Sequence, residues 1–218
     1  MEYLVYIKYI LENNLYIKSN YNIFLVKDPK VRVVMSESII DKVINHYVAK
    51  YILIPKLSKY LCKEITASRK RMGLTYAIKL LLFYIEKLKR KGKSIYAFKI
   101  DIEKYFYRVD HNILKSLIVN ELTTDEYNLV CKLIDGTNYE YINKRIDILE
   151  NGVSEKLPRY KKGVGLSLGG QVHQFFAIFY LYKLHHYIIH DLHLKYMLSY
   201  MDDYIILSDN LNYLKISK

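Results

Sequence analysis

Met197-Leu198-Ser199-Tyr200-Met201-Asp202-Asp203-Tyr204-Ile205-Ile206-Leu207 is the stretch on which the reading of this sequence turns. Apolar and aromatic residues on either side of two aspartates predict a pair of strands about an Asp-Asp turn. Carboxylates at the ends of buried strands are costly unless paired, hydrogen-bonded or bound to a cation. A lone Asp-Asp turn is more often only a turn. Asp101 changes that balance, because it ends a second strand-type run, Tyr96-Ala97-Phe98-Lys99-Ile100. Strand-end acids suit a hard divalent cation such as Mg2+, which prefers oxygen ligands, and two such ions about 4 Å apart can activate an attacking oxygen and stabilise a leaving one.

Working outward, 218 residues with 51% hydrophobic and 26% charged side chains fit one large or two small globular units with a real core. No apolar run approaches the roughly 18 residues of a membrane span, and the first residues lack the pattern of an export signal. Cys62 and Cys131 stand far apart, which points to a reduced, cytoplasmic protein without a structural zinc site. The net charge of +12 is unevenly placed: residues 1–93 hold 19 Lys and Arg against 7 Asp and Glu, whereas residues 94–218 hold 15 of each. Codon bias toward lysine explains the number of cations better than their segregation. A basic lobe beside a balanced one suits a polyanion, and phosphate backbone is the commonest.

Tyr21 to Val26 and Val31 to Met35, separated by Lys27-Asp28-Pro29-Lys30, predict a basic hairpin. Ser38 to Asp41 looks like a capping box opening a helix that Pro55 ends or interrupts, and a second helical pattern spans about 75 to 90. Thr123 to Glu126 is another capping box, on a helix closed by Gly136. Residues 137–162 read as a hairpin around Tyr141 to Leu149 and then loop, and 171–189 as one long apolar helix.

Three motifs in this order resemble the reverse transcriptases, specifically the bacterial retroelement type. Asp101-Ile102-Glu103-Lys104-Tyr105-Phe106 is similar to the family's aspartate motif, Gly165-Leu166-Ser167-Leu168-Gly169-Gly170 to its glycine-rich loop, and Tyr200-Met201-Asp202-Asp203 to its catalytic hairpin. Four of the eight glycines fall between 163 and 170. The resemblance implies an α+β fold of right-hand polymerase fingers (1–93) and palm (94–218), with an antiparallel palm sheet, helices on one face and the thumb missing. It implies RNA-templated DNA synthesis, with two Mg2+ ions, or Mn2+, on Asp101, Asp202 and the carbonyl of Ile102, and Asp203 supporting them. Phe106 would reject the 2′-OH of a ribonucleotide. Arg69, Lys70, Arg71 and Gly169 would meet the incoming dNTP, and Arg32, Gly170, Tyr200 and Met201 the RNA template or the primer.

The sequence departs from the family in the glycine loop and at its end. Ser167 stands where proline is usual, Val172 and His173 stand near where serine or threonine is usual, and the chain ends 15 residues after Asp203, before the next palm motif and the thumb. Two alternatives follow: a catalytically silent nucleic-acid-binding fragment, or an RNA-dependent RNA polymerase, against which the Tyr-Met-Asp-Asp hairpin and Phe106 argue. His185, His186, His190 and His193 lie within nine residues, but no cysteine or glutamate completes a zinc set, so a helix end is the better reading.

Overall fold

The computed structural model of the chain describes residues 2–216. Helix α1 (Glu2–Glu12) precedes an antiparallel hairpin, β1 (Asn22–Asp28) and β2 (Lys30–Ser36), in which Asp28 pairs with Lys30 across Pro29. Ser38 then caps α2 (Ile39–Tyr47), its hydroxyl accepting from the Asp41 N–H. Pro55 does not end this helix. The rod passes through a π-helical stretch, Val48–Leu53, into α3 (Ile54–Leu57), with the proline in the first turn of α3. A proline lacks the N–H that an interior helical position would use, and a local change of hydrogen-bond register absorbs that loss.

Helix α4 (Leu74–Lys89) leads to strand β3 (Tyr96–Asp101), a 3-10 turn at Tyr105–Tyr107, α5 (His111–Ile118) and α6 (Thr124–Ile134). Both halves of the Thr123/Glu126 capping box are made at the start of α6. The hairpin expected around 141–149 is instead a helix, α7 (Glu140–Glu150). Its Ile142 and Ile146 are buried one turn apart against the β1–β2 hairpin while Lys144 between them is exposed, which is a helical period, since a strand would bury all three on one face. The long helix expected over 171–189 is interrupted near Leu181, at ψ 7°, giving α8 (Gln171–Phe179), α9 (Tyr182–His186) and a π turn at Tyr187–Asp191. Strands β4 (Met197–Tyr200) and β5 (Asp203–Ser208) and helix α10 (Leu211–Ile216) complete the described chain. The β4–β5 turn is Met201-Asp202 rather than Asp-Asp, since Asp203 is already in the ladder. No described helix is long and apolar enough to cross a membrane.

The chain forms two compact units that alternate along it. One comprises residues up to Ser58 with Lys104–Phe176, the other Lys59–Glu103 with the residues from Ala177 on. The boundary expected near residue 93 follows the charge. The fold is interleaved because strand order β3-β5-β4 makes residues 96–101 pair with 203–208, drawing distant sequence into one body.

In the second unit, the sheet alternates. Phe98, Ile100, Tyr204 and Ile206 face a core closed by Ile188, Leu194 and Leu214, whereas Ala97, Lys99 and Asp101 are exposed on the other face. On that face α4 lays Tyr84 and Leu88 against Ile205 and Leu207, away from the aspartate end.

Candidate active site

Period-two alternation places the acids. Asp101 and Asp203 are direct cross-strand partners, so both project from the same face of the sheet, and Tyr200 flanks Asp203 from β4. Asp101 and Asp203 are exposed, and Asp202, in the turn between β4 and β5, is half-buried. Met201 holds that turn with φ 57°, a left-handed conformation that costs a side chain such as methionine about 1 kcal/mol or more. The buried Ser199 hydroxyl donates to the Met201 carbonyl at 3.2 Å and braces it. Lys99, which the sequence shows only as a member of the strand-type run before Asp101, brings Nζ to 3.2 Å from Asp203 Oδ1. The signal that could have found it is its spacing of two from Asp101, which puts both on one face.

The edge of β4 is covered by residues 64–66. Ser199 N–H donates to the Glu64 carbonyl, and the Thr66 N–H and hydroxyl both donate to the Ser199 carbonyl. The loop then runs through Ser68 and Arg71, both at positive φ, into Gly73 and α4. Arg69 is a strut of this loop. Its Nη1 donates to the carbonyls of Cys62 at 2.6 Å and Ile65 at 2.9 Å, and burial lowers its pKa. Lys70 and Arg71 are exposed. Of the two arginines expected at the triphosphate, the structure therefore uses one to shape the loop. Farther along, His186 Nε2 is spent on the Tyr60 carbonyl at 2.9 Å, and His185 Nε2 lies 2.7 Å from the Tyr204 hydroxyl.

The other expected residues lie in the first unit. The Phe106 carbonyl accepts from the Leu166 N–H, and the Val109 carbonyl from the Gly165 N–H, tying the 3-10 turn to the glycine-rich loop. Gly169 has φ 141°, and a Cβ there would sit 2.8 Å from the Met35 carbonyl oxygen. A Cβ on Gly170 would stand 3.2 Å from His173 Nδ1 and 3.4 Å from Glu37 Oε1. Packing against the backbone of β2 thus accounts for Gly169, whereas the neighbours of Gly170 are side chains. Arg32 is exposed on β2 beside Tyr107, whose hydroxyl burial pushes up to about 12 while Arg32 pulls it down.

Beneath the loop is a buried polar cluster that the motifs did not reveal. Asp41 accepts from the Tyr16 hydroxyl at 2.7 Å, Lys18 Nζ at 3.1 Å and the Ser19 N–H. Asn45 donates to Glu37 at 2.7 Å and accepts from the Val172 N–H at the start of α8. Burial pushes Glu37 up to about 7 despite Lys18. His173, fully buried, is held down at about 4. It takes the Ser167 hydroxyl on Nδ1 and donates from Nε2 to the Leu133 carbonyl.

Two opposed carboxylates with a third in the adjoining turn form an all-oxygen donor set, the chemistry a hard divalent cation requires. The fit is therefore one of donor type and register. Among the described residues no group of three or more His, Cys, Asp or Glu side chains is gathered as a metal site.

Antiparallel strands carrying acids at the turn, flanked by helices and joined to a separate hairpin-bearing unit, define an α+β fold of the polymerase fingers-and-palm type. The family model for reverse transcriptase (RNA-dependent DNA polymerase) matches residues 25–217, and the chain belongs to that family. Among solved structures, telomerase from Candida tropicalis in complex with a fragment of telomeric RNA superposes with TM-score 0.60 at 14% identity, over 92% of this chain and 38% of that one. The corresponding Candida albicans complex gives 0.53 at 11% identity, over 98% and 43%. Apo Candida tropicalis telomerase truncated from its C-terminal domain gives 0.51 at 16%, over 95% and 48%. At these identities the likeness is one of fold, and the chain spans less than half the length of each of these three structures. Comparison with curated proteins finds no match.

Proposed function

We propose that this chain is the fingers (1–93) and palm (94–218) of a bacterial retroelement-type reverse transcriptase, copying RNA into DNA by attack of a primer 3′-hydroxyl on the α-phosphate of a dNTP. The observation that carries the reading is the register of Asp101 opposite Asp203 with Asp202 in the adjoining turn. Asp101, Asp202 and the carbonyl of Ile102, with Asp203 beside them, would hold two divalent ions, Mg2+ or Mn2+, whose chemistry is to activate the attacking oxygen and offset charge on the leaving one. Exposed Arg71 suits the triphosphate, with Arg69 shaping the loop that presents it. Phe106 would exclude a 2′-OH, the backbone at Gly169 and Gly170 would border nucleotide and template, and Arg32, Tyr200 and Met201 would contact template or primer. A reducing cytoplasmic setting suits the two unpaired cysteines.

The test is Asp202→Asn, a near-isosteric change in a half-buried turn. It should abolish primer extension while leaving the circular-dichroism spectrum and thermal midpoint unchanged. Extension at the wild-type rate by this variant would remove the reading. The second reading is a portion that binds nucleic acid without extending it. Retained primer–template affinity with no extension by the unmutated chain at any Mg2+ concentration would select that alternative.

A further inference from the structure

We propose that Lys99 is the resident counter-cation of the aspartate face and competes with divalent metal for Asp203, so that this ammonium sets the metal affinity of the site. The inference rests on the metal-binding reading above and adds a residue to it.

Directly opposed like charges on neighbouring strands destabilise a sheet, and Asp101 and Asp203 are such a pair. Lys99 shares their face, two residues before Asp101. The residue opposite Lys99 is the apolar Ile205, so no carboxylate meets it straight across the ladder. Its side chain crosses diagonally instead, and Nζ comes to rest 3.2 Å from Asp203 Oδ1. A lysine in the middle of Tyr96-Ala97-Phe98-Lys99-Ile100 is otherwise a poor strand residue on an apolar run. Its placement makes sense as compensation for the acids.

The chemistry of lysine also fits a competitor rather than a permanent strut. Its ammonium is a compact point charge on a flexible four-carbon stem, whereas an arginine fork would bind a carboxylate in a fixed bidentate geometry. The Lys99 and Asp203 side chains are 68% and 50% exposed, so the pair is solvated and exchangeable. A divalent ion arriving at the acids meets a unit positive charge already on one of its oxygen donors. Binding then requires the ammonium to move away, and its repulsion lowers affinity for as long as it stays near.

The two roles predict opposite signs for one substitution. Lys99→Met keeps the length and apolar stem but removes the charge. Without metal, the opposed aspartates lose their compensation, and the thermal midpoint in EDTA should fall by a few degrees. With metal, the competitor is gone, and the dissociation constant for Mn2+, read from the electron-paramagnetic-resonance signal of the free ion, should tighten about three- to tenfold. Lys99→Arg keeps the charge and places it on a fork that holds a carboxylate bidentately, so it should bind Mn2+ no more tightly than wild type. Asp101→Asn and Asp202→Asn identify which bound Mn2+ belongs to the site.

Unchanged or weaker Mn2+ binding in Lys99→Met, whatever its thermal midpoint, would reduce the contact to a structural ion pair and overturn the inference. If the unmutated chain binds no Mn2+ that Asp101→Asn and Asp202→Asn remove, the metal-binding reading itself fails, and Lys99 falls with it. That result is distinct, because then no variant differs from any other.

Discussion

At Met201 the backbone takes φ 57°, a region where glycine is at ease and a methionine is not. Met201→Gly should relieve that strain and raise stability by about 0.5–1 kcal/mol in urea unfolding, the larger native relief outweighing the entropy glycine adds to the unfolded chain. A loss of stability would mean that the half-buried methionine side chain contributes more by packing than its backbone costs. Glu37 makes a second residue-scale case. Its carboxyl, buried among Lys18, Asp41, Lys42 and Asn45, is pushed up to about 7 from an ordinary value of 4.5. An acid whose folded pKa is raised contributes stability that is fully present below its unfolded pKa and is lost as pH rises through the folded one. Stability should therefore fall between about pH 4.5 and 7 on account of this group. Glu37→Gln should flatten that part of the profile, leaving the variant more stable than wild type at pH 8 by roughly 1–3 kcal/mol in chemical denaturation. Parallel profiles for the two proteins would show that Lys18 keeps Glu37 ionised throughout.

Among the elements, the glycine-rich loop shows most directly how a sequence signal and its physical cause can differ. Clustered glycines suggested open backbone for a ligand, yet Gly169 lies where a Cβ would strike the β2 backbone, and Met35 N–H donates to the Leu168 carbonyl alongside it. Gly169→Ala combines that 2.8 Å clash with a positive φ and should cost about 2 kcal/mol or more, because the neighbour is backbone and cannot swing aside. A thermal midpoint within a degree of wild type would show that the loop can lift off the hairpin. The misread elements fail for equally local reasons. Tyr141 to Leu149 is rich in β-branched and aromatic residues, and the burial of Ile142 and Ile146 against the hairpin with Lys144 left exposed marks the helical period. Pro55 is a true break in an isolated peptide, but here the rod shifts into a π register around it. The capping residues Ser38 and Thr123 were legible because capping is a contact across three residues and needs no partner from elsewhere.

For the whole molecule, the charge asymmetry makes a claim that can be measured. Phosphate contacts position a protein without reading bases, so nucleic-acid affinity should fall with salt at a log-log slope of about −0.9 per phosphate neutralised on duplex. Replacing the exposed hairpin cations Lys27, Lys30 and Arg32 with alanine together should make that slope shallower and weaken binding about equally on unrelated sequences. An unchanged slope would trace the excess of lysine to composition alone. The motif order, the β4–β5 hairpin, the basic β1–β2 hairpin and the oxygen chemistry of Asp101, Asp202 and Asp203 were all determined by the sequence, since each is written in short-range periodicity or in the type of a single side chain. Tertiary structure alone decided that Asp101 stands opposite Asp203, that Lys99 reaches across to it, that Arg69 is consumed by its own loop, and that Gly169 abuts Met35. The physical reason is that these contacts join residues brought together by sheet register and by packing between distant segments, and a one-dimensional pattern does not record which face meets which.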